Sequence, residues 1–241
     1  MNMKIRIFQK GFNFSQDGPG NRLVYHLRGC NMRCPWCANP EGLSPEGAAV
    51  DVETLMDEVL RSRSMFFEGG GVTFTGGEPT LQFDALEYML KSLHRQGVDT
   101  AIETNASHPR LPELFGCVDH LIMDLKHPDA LRHQEITGVR QELVLDNLRR
   151  ACAEHPDVLI HIPLVNGYNA SFDELTAMAE LLVSLRGENV RFEPLWYHEY
   201  GKVKWAQLGL PYPVSNGFLT DEQKNAFLDA LHTRGLCTIR T

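Results

Sequence analysis

Positive charge is scarce in this chain: 23 Lys and Arg face 31 Asp and Glu, a formal net charge of -8. That balance makes nucleic acid and anionic membrane poor default partners, and neither is expected. No run approaches the ~20 consecutive apolar residues that a membrane span requires. The opening residues, Met1-Asn2-Met3-Lys4-Ile5-Arg6, lack the apolar stretch of a secretory signal. The expected compartment is the cytoplasm, where thiols stay reduced and can hold metal. Charge blocks, low-complexity linkers and internal repeats are also missing. With 43% hydrophobic residues in 241, the chain can bury one sizeable core, and a single domain over residues 1–241 is expected. Cysteine is sparse, six in all, and Cys117, Cys152 and Cys237 are scattered as core thiols would be.

The other three cysteines are concentrated in one run, Cys30-Asn31-Met32-Arg33-Cys34-Pro35-Trp36-Cys37. Thiolates favour zinc, Cu(I) and iron–sulfur clusters. A structural zinc site wants four closed ligands, commonly in C-x2-C pairs. No second pair exists here, and the nearest other candidate, His26, falls inside an expected strand. A disulfide reading conflicts with the compartment. The spacing therefore favours a [4Fe-4S] cluster on three protein ligands, Cys30, Cys34 and Cys37, with the fourth iron open to an outside ligand.

Around this run, apolar segments of strand length alternate with segments of helical period. Strands are expected at 22–27, 71–75, 98–102, 120–124, 158–165 and 190–195. Helices are expected at 52–60, 81–93, 143–153, 172–185 and 221–232, the last capped by Thr220 and ending near Gly235, with a short strand after it. Such alternation implies a parallel sheet. About six repeats predict an α/β fold, an incomplete (β/α)6 barrel. In barrels chemistry sits at the C-terminal ends of strands. The polar motifs fall there: the cysteine run after 22–27, Gly76-Gly77-Glu78-Pro79 after 71–75, Glu103-Thr104-Asn105 after 98–102, and Asp124-Leu125-Lys126 after 120–124. Two glycines after a strand allow close backbone approach, and Pro79 suits a first helical turn.

Together, C-x3-C-x-aromatic-C and G-G-E-P resemble the radical SAM superfamily. That resemblance implies S-adenosylmethionine (SAM) chelating the open iron, with its amino group against Gly76, Gly77 and Glu78 and its adenine beside Trp36. Reductive cleavage would give a 5′-deoxyadenosyl radical. Further matches are to the branch of glycyl radical enzyme activating enzymes: Asp17-Gly18-Pro19-Gly20, Cys37-Ala38-Asn39, Asp124-Leu125-Lys126, and Tyr197-His198-Glu199-x-Gly201-Lys202-x-Lys204-Trp205. They run in order over most of the chain. The branch implies SAM contacts from Ala38, Asn39, Asp124, Leu125, Lys126 and His198, and a partner loop received near Asp17. No catalytic side chain is implied beyond the cluster and SAM. Glu103 replaces the Asp of the branch's D-T-N and is one methylene longer, which alters the reach toward a cation beside SAM.

The resemblance further implies an oxidoreductase that abstracts hydrogen from a glycine of a partner glycyl radical enzyme. The inserted ferredoxin-like domain of many such activators has no counterpart after Cys37. One cluster is therefore expected, with electrons from a separate flavodoxin or ferredoxin, and the activator is expected to act as a monomer. Two alternatives stand beside this reading. One is a radical SAM enzyme on a small, purine-like substrate, which the Glu103 variant keeps open. The other is a non-catalytic iron–sulfur electron carrier, which leaves the glycine-rich turn unexplained.

Overall fold

A computed structural model describes residues 3–236, 238 and 239. Cys237, read above as a core thiol, lies outside the described residues. The described strands form one sheet in the order β3-β1-β2-β4-β5-β6-β7-β8. They are β1 (Lys4–Phe14), β2 (Asn21–Leu27), β3 (Ala49–Asp51), β4 (Gly71–Gly76), β5 (Thr100–Thr104), β6 (His120–Asp124), β7 (Val158–Leu164) and β8 (Val190–Trp196). From β2 through β8 every neighbouring pair runs parallel. β1 is antiparallel to both β2 and β3. The linear order makes this the expected incomplete barrel of six parallel strands, with a hairpin added at its first edge.

The parallel strands read as apolar runs because both of their faces are covered. In β4, Gly71 to Thr75 are all buried. The covering helices include α1 (Val52–Arg61), α2 (Phe83–Arg95), α3 (Ala130–Thr137), α4 (Gln141–Glu154), α5 (Phe172–Val183) and α7 (Asp221–Thr233). α1 buries Val52, Leu55, Met56 and Val59, the i, i+3, i+4, i+7 stripe that marked it. α7 starts with the expected Thr220 cap, whose hydroxyl accepts from the Gln223 N–H in a full capping box. After it, the expected last strand is a parallel bridge between Thr238 and Phe192. Cys117 is buried, as a core thiol should be, while Cys152 is half-buried.

Four elements were not expected, one of them the three-residue β3 that pairs with β1. β1 was missed because it sits on the open side of the sheet and most of its residues are exposed, so its alternation is blurred. α3 follows a proline and has a weak apolar face. The last is α6 (Tyr200–Gln207). β5 also begins and ends two residues later than expected, which puts Glu103 and Thr104 inside the strand rather than after it.

At the base of the barrel, the Asp17–Gly20 turn joins β1 to β2. It is held by Arg22, which is fully buried. The Arg22 guanidinium donates to the Pro19 carbonyl (3.0 Å), the Val72 carbonyl (2.9 Å) and Thr73 Oγ1 (2.7 Å), and pairs with Asp99 at 2.7 Å. The turn is thereby tied to β4 and to Asp99 ahead of β5, and its Asp17 lines a cavity described below.

Candidate active site

The three thiols of Cys30, Cys34 and Cys37 border one cavity of about 210 Å³ at the C-terminal ends of the strands. The loop that carries them leaves β2 and is seated on the turn after β4. The Gly77 N–H donates to the Leu27 carbonyl (2.9 Å) and the Glu78 N–H to the Gly29 carbonyl (2.7 Å). A Cβ at Gly77 would stand 2.2 Å from the Gly29 oxygen and 2.6 Å from that of Gly42, and one at Gly76 would stand 2.5 Å from the Leu27 nitrogen. The glycine pair is thus dictated by the cysteine loop's own backbone. Gly76 also has φ +113, which a side chain rarely adopts.

Glu78 differs from its expected place. Its carboxylate is fully buried and turned away from the cavity. It accepts from the Thr80 N–H (3.0 Å), Thr80 Oγ1 (2.5 Å), Thr104 Oγ1 (2.7 Å) and the Asn105 N–H (2.7 Å). Burial raises its pKa, and these donors work against that rise. The glutamate ties the end of β4 to the end of β5, and only the glycines of this turn face the cavity. Leu125 differs in the same way, being wholly in the core, while Asp124 and Lys126 on either side of it line the cavity. Trp36, Ala38, Asn39, Gly76, Gly77, Glu103 and His198 also line it.

Lys126 is a deeply set cation beside the thiols. It donates to Asp124 at 2.9 Å. Burial is the largest influence on it and opposes the charge. Asp124 and the thiolates of Cys34 and Cys30 outweigh burial and raise its pKa. Burial pushes each thiol of the cysteine run up to about 11, and Lys126 partly offsets this for all three. Asn105 Nδ2 lies 4.0 Å from Cys30 Sγ, a weak donor to that sulfur. Among the described residues no three His, Cys, Asp or Glu side chains gather around a single-ion site. The thiols are instead spaced around a shared cavity, a donor set that fits a polynuclear group whose irons each take one thiolate.

A second cavity, of about 500 Å³, opens beside the first, between β1 and the segment that follows β8. Ala38, Asn39, Glu103 and His198 line both. Gln9, Phe12, Asn13 and Asp17 form its far wall. His198 stacks on Tyr200 with ring centroids 4.2 Å apart, and burial lowers its pKa, so the ring is neutral near pH 7.

Between the cavities runs a charged layer that sequence reasoning had not assembled. Glu103 accepts from Thr75 Oγ1 at 2.6 Å and pairs with His161 Nδ1 at 3.3 Å. His161 Nε2 lies 3.4 Å from Glu193. Burial opposes the charge on both Glu103 and His161, but the pairing wins. It holds Glu103 down to about 2 and lifts His161 to about 10. Burial and then the charge of Glu103 raise Asp17 to about 6. The available signal was polarity out of place, since His161 and Glu193 lie opposite one another within apolar strands. Thr75, Thr104 and Asn105 also face the first cavity, and only the last two belonged to a quoted motif.

A family model described as the Radical SAM superfamily matches residues 24–182. Pyruvate formate-lyase-activating enzyme of Staphylococcus epidermidis is 35% identical over 212 residues, covering 83% of this chain and 84% of the relative. The chain belongs to the radical SAM superfamily, in the family of pyruvate formate-lyase-activating enzymes. A solved domain of pyruvate-formate lyase-activating enzyme from Bacteroides vulgatus aligns with a TM-score of 0.58 at 31% identity, covering 71% of this chain and 98% of that one. A radical SAM methyltransferase from Sphaerobacter thermophilus aligns over 95% of this chain and 67% of its own with a TM-score of 0.67; at 19% identity it speaks to the fold alone. Membership brings the superfamily's cofactors, a [4Fe-4S] cluster and SAM, and the cysteine-lined cavity fits them.

Proposed function

We propose that this chain activates a glycyl radical enzyme by abstracting hydrogen from one of its glycines. The observation that carries the reading is the pair of adjoining cavities. The first has the donors for the cofactors, and the second, bounded by β1 and the segment after β8, has room for an extended segment of another chain. When bound, the cluster and SAM supply a 5′-deoxyadenosyl radical. The protein's part is placement. Cys30, Cys34 and Cys37 would hold the cluster. Gly76 and Gly77 would offer open backbone to the SAM amino group, Lys126 and Asp124 would set the charge beside its amino acid end, and Trp36 would take its adenine. Ala38, Asn39 and neutral His198 would border SAM on the side of the second cavity. Glu103 is engaged by Thr75 and His161, so a cation beside SAM would have to share its carboxylate with those partners. The partner's glycine enters through the second cavity, past Asp17 and Asn13. The chain works in the cytoplasm as a monomer and a single domain, with electrons from a flavodoxin or ferredoxin.

The test is electron paramagnetic resonance on the reduced, anaerobically reconstituted protein mixed with SAM and candidate glycyl radical enzymes. A doublet split by one α-hydrogen in the partner, with matching 5′-deoxyadenosine, is expected. Deoxyadenosine release with no radical in any partner would overturn the assignment in favour of a small-molecule substrate.

A further inference from the structure

The motif Gly201-Lys202-x-Lys204-Trp205 lies outside the functional reading so far, apart from its neighbour His198. In the structure it is the start of α6 (Tyr200–Gln207). Residues spaced i, i+3 and i+4 share one helix face. Gly201, Lys204 and Trp205 have that spacing, and all three face the cysteine loop. The Trp205 indole N–H donates to the Cys37 carbonyl at 2.9 Å. Lys204 Nζ donates to Asn39 Oδ1 at 2.9 Å and pairs with Glu41 at 3.5 Å. Gly201 lets the helix in: a Cβ there would stand 2.4 Å from the Cys37 oxygen and 2.9 Å from the Ala38 Cα. The opposite face, with Tyr200 and Val203, is exposed. Beyond the edge-on contact of Trp205 with Tyr212 (ring centroids 5.9 Å), the contacts that hold α6 to the loop are specific and polar.

The loop needs such a holder. Its first part is pinned by the β4 turn through Gly29, but from Pro35 to Asn39 it has no helix or strand of its own. That stretch carries the third thiol and two of the four residues that line both cavities, Ala38 and Asn39. We propose that Gly201, Lys204 and Trp205 form a clasp that fixes the Cys37–Asn39 end of the loop and so sets where the third thiolate and the adjoining SAM wall stand. Lys204 and Trp205 are positioning residues in this role: they act on the cofactors through Cys37 and Asn39. The inference rests on the cluster being held by Cys30, Cys34 and Cys37 and is independent of the partner's identity.

Two variants test it. Trp205→Phe keeps an aromatic ring and removes the N–H donor. Lys204→Met keeps the aliphatic stem and removes the donor to Asn39. Lys204→Arg, which retains a donor, and Lys202→Met, on the same helix but paired only with Glu199, are the controls. The first readout is hydrogen exchange of the metal-free, anaerobic chain. Each donor-deleting variant should speed exchange of the 35–42 segment about tenfold, the size of one lost hydrogen bond, with β2 and β4 unchanged. The second is the reduced-cluster spectrum of the reconstituted chain. Iron content should match the parent, while the SAM-induced shift broadens and SAM binds about tenfold more weakly. Exchange that rises evenly over the barrel, or loop exchange and spectra equal to the parent, would overturn the clasp. Absence of a three-cysteine cluster in the parent chain would instead overturn the site on which it rests.

Discussion

Replacing Gly77 with Ala puts the seating of the cysteine loop to a direct test. The new Cβ would lie 2.2 Å from the Gly29 oxygen and 2.6 Å from the Gly42 oxygen. A relaxed carbon–oxygen contact is about 3.3 Å. Each carbonyl would have to retreat by roughly 1 Å, and neither can do so by turning a side chain. Both are also engaged: Gly29 accepts from the Glu78 N–H at 2.7 Å, and Gly42 accepts from the Gly29 N–H at 2.8 Å. Loosening two such bonds costs about 0.5–1.5 kcal/mol each, and overpacking adds about 1–3 kcal/mol. The expected loss is therefore about 2–6 kcal/mol, a large part of a domain's stability. Urea unfolding of the metal-free chain, followed by tryptophan fluorescence, measures it. Gly116→Ala is the internal comparison, since a Cβ there meets nothing within 4 Å, and should change stability by less than about 0.5 kcal/mol. If both variants unfold at the parent's midpoint and reconstitute a normal cluster, the close approach is not a constraint and the account of the glycine pair fails.

Two further outcomes are expected. Cys34→Ala should abolish cluster binding, read as the loss of iron and of the visible charge-transfer absorption after reconstitution; an intact cluster in that variant would remove Cys34 from the ligand set. His161 should make stability fall with rising pH. Its pKa in the folded chain, about 10, is above the ordinary 6.5, so its contribution is complete below pH 6.5 and is lost as pH climbs toward 10. Urea midpoints taken from pH 6.5 to 10 should show that slope in the parent and a flatter profile in His161→Gln, and equal slopes would refute the pairing with Glu103 and Glu193.

Much of the barrel could be read from the chain because a strand covered on both faces writes itself as an apolar run, as β4 does. His120–Asp124 agrees with its expected bounds for the same reason. The cysteines, the glycine pair, Asp124 and Lys126 also met at one cavity as their places after successive strands required. What escaped was set by partners far away in sequence. The side of its turn to which Glu78 points depends on Thr104 and Asn105, which a four-residue motif does not contain. α6 has a glycine and two polar donors on its inner face, so no apolar stripe announced it. The charged layer of Glu103, His161 and Glu193 exists because strands β5, β7 and β8 curve around one interior, and no stretch of sequence places those residues together.

The contact between Lys204 and Asn39 spans 165 residues of sequence, and that span has a meaning in time. On a translating ribosome the cysteine loop is made early and the helix that fastens it is made late. At about 5–20 residues per second, roughly 8–30 s separate the two. During that interval the nascent chain displays three thiols on a loop whose last ligand is untethered. Iron and sulfide arriving then would meet a loop that its late helix has not yet fastened.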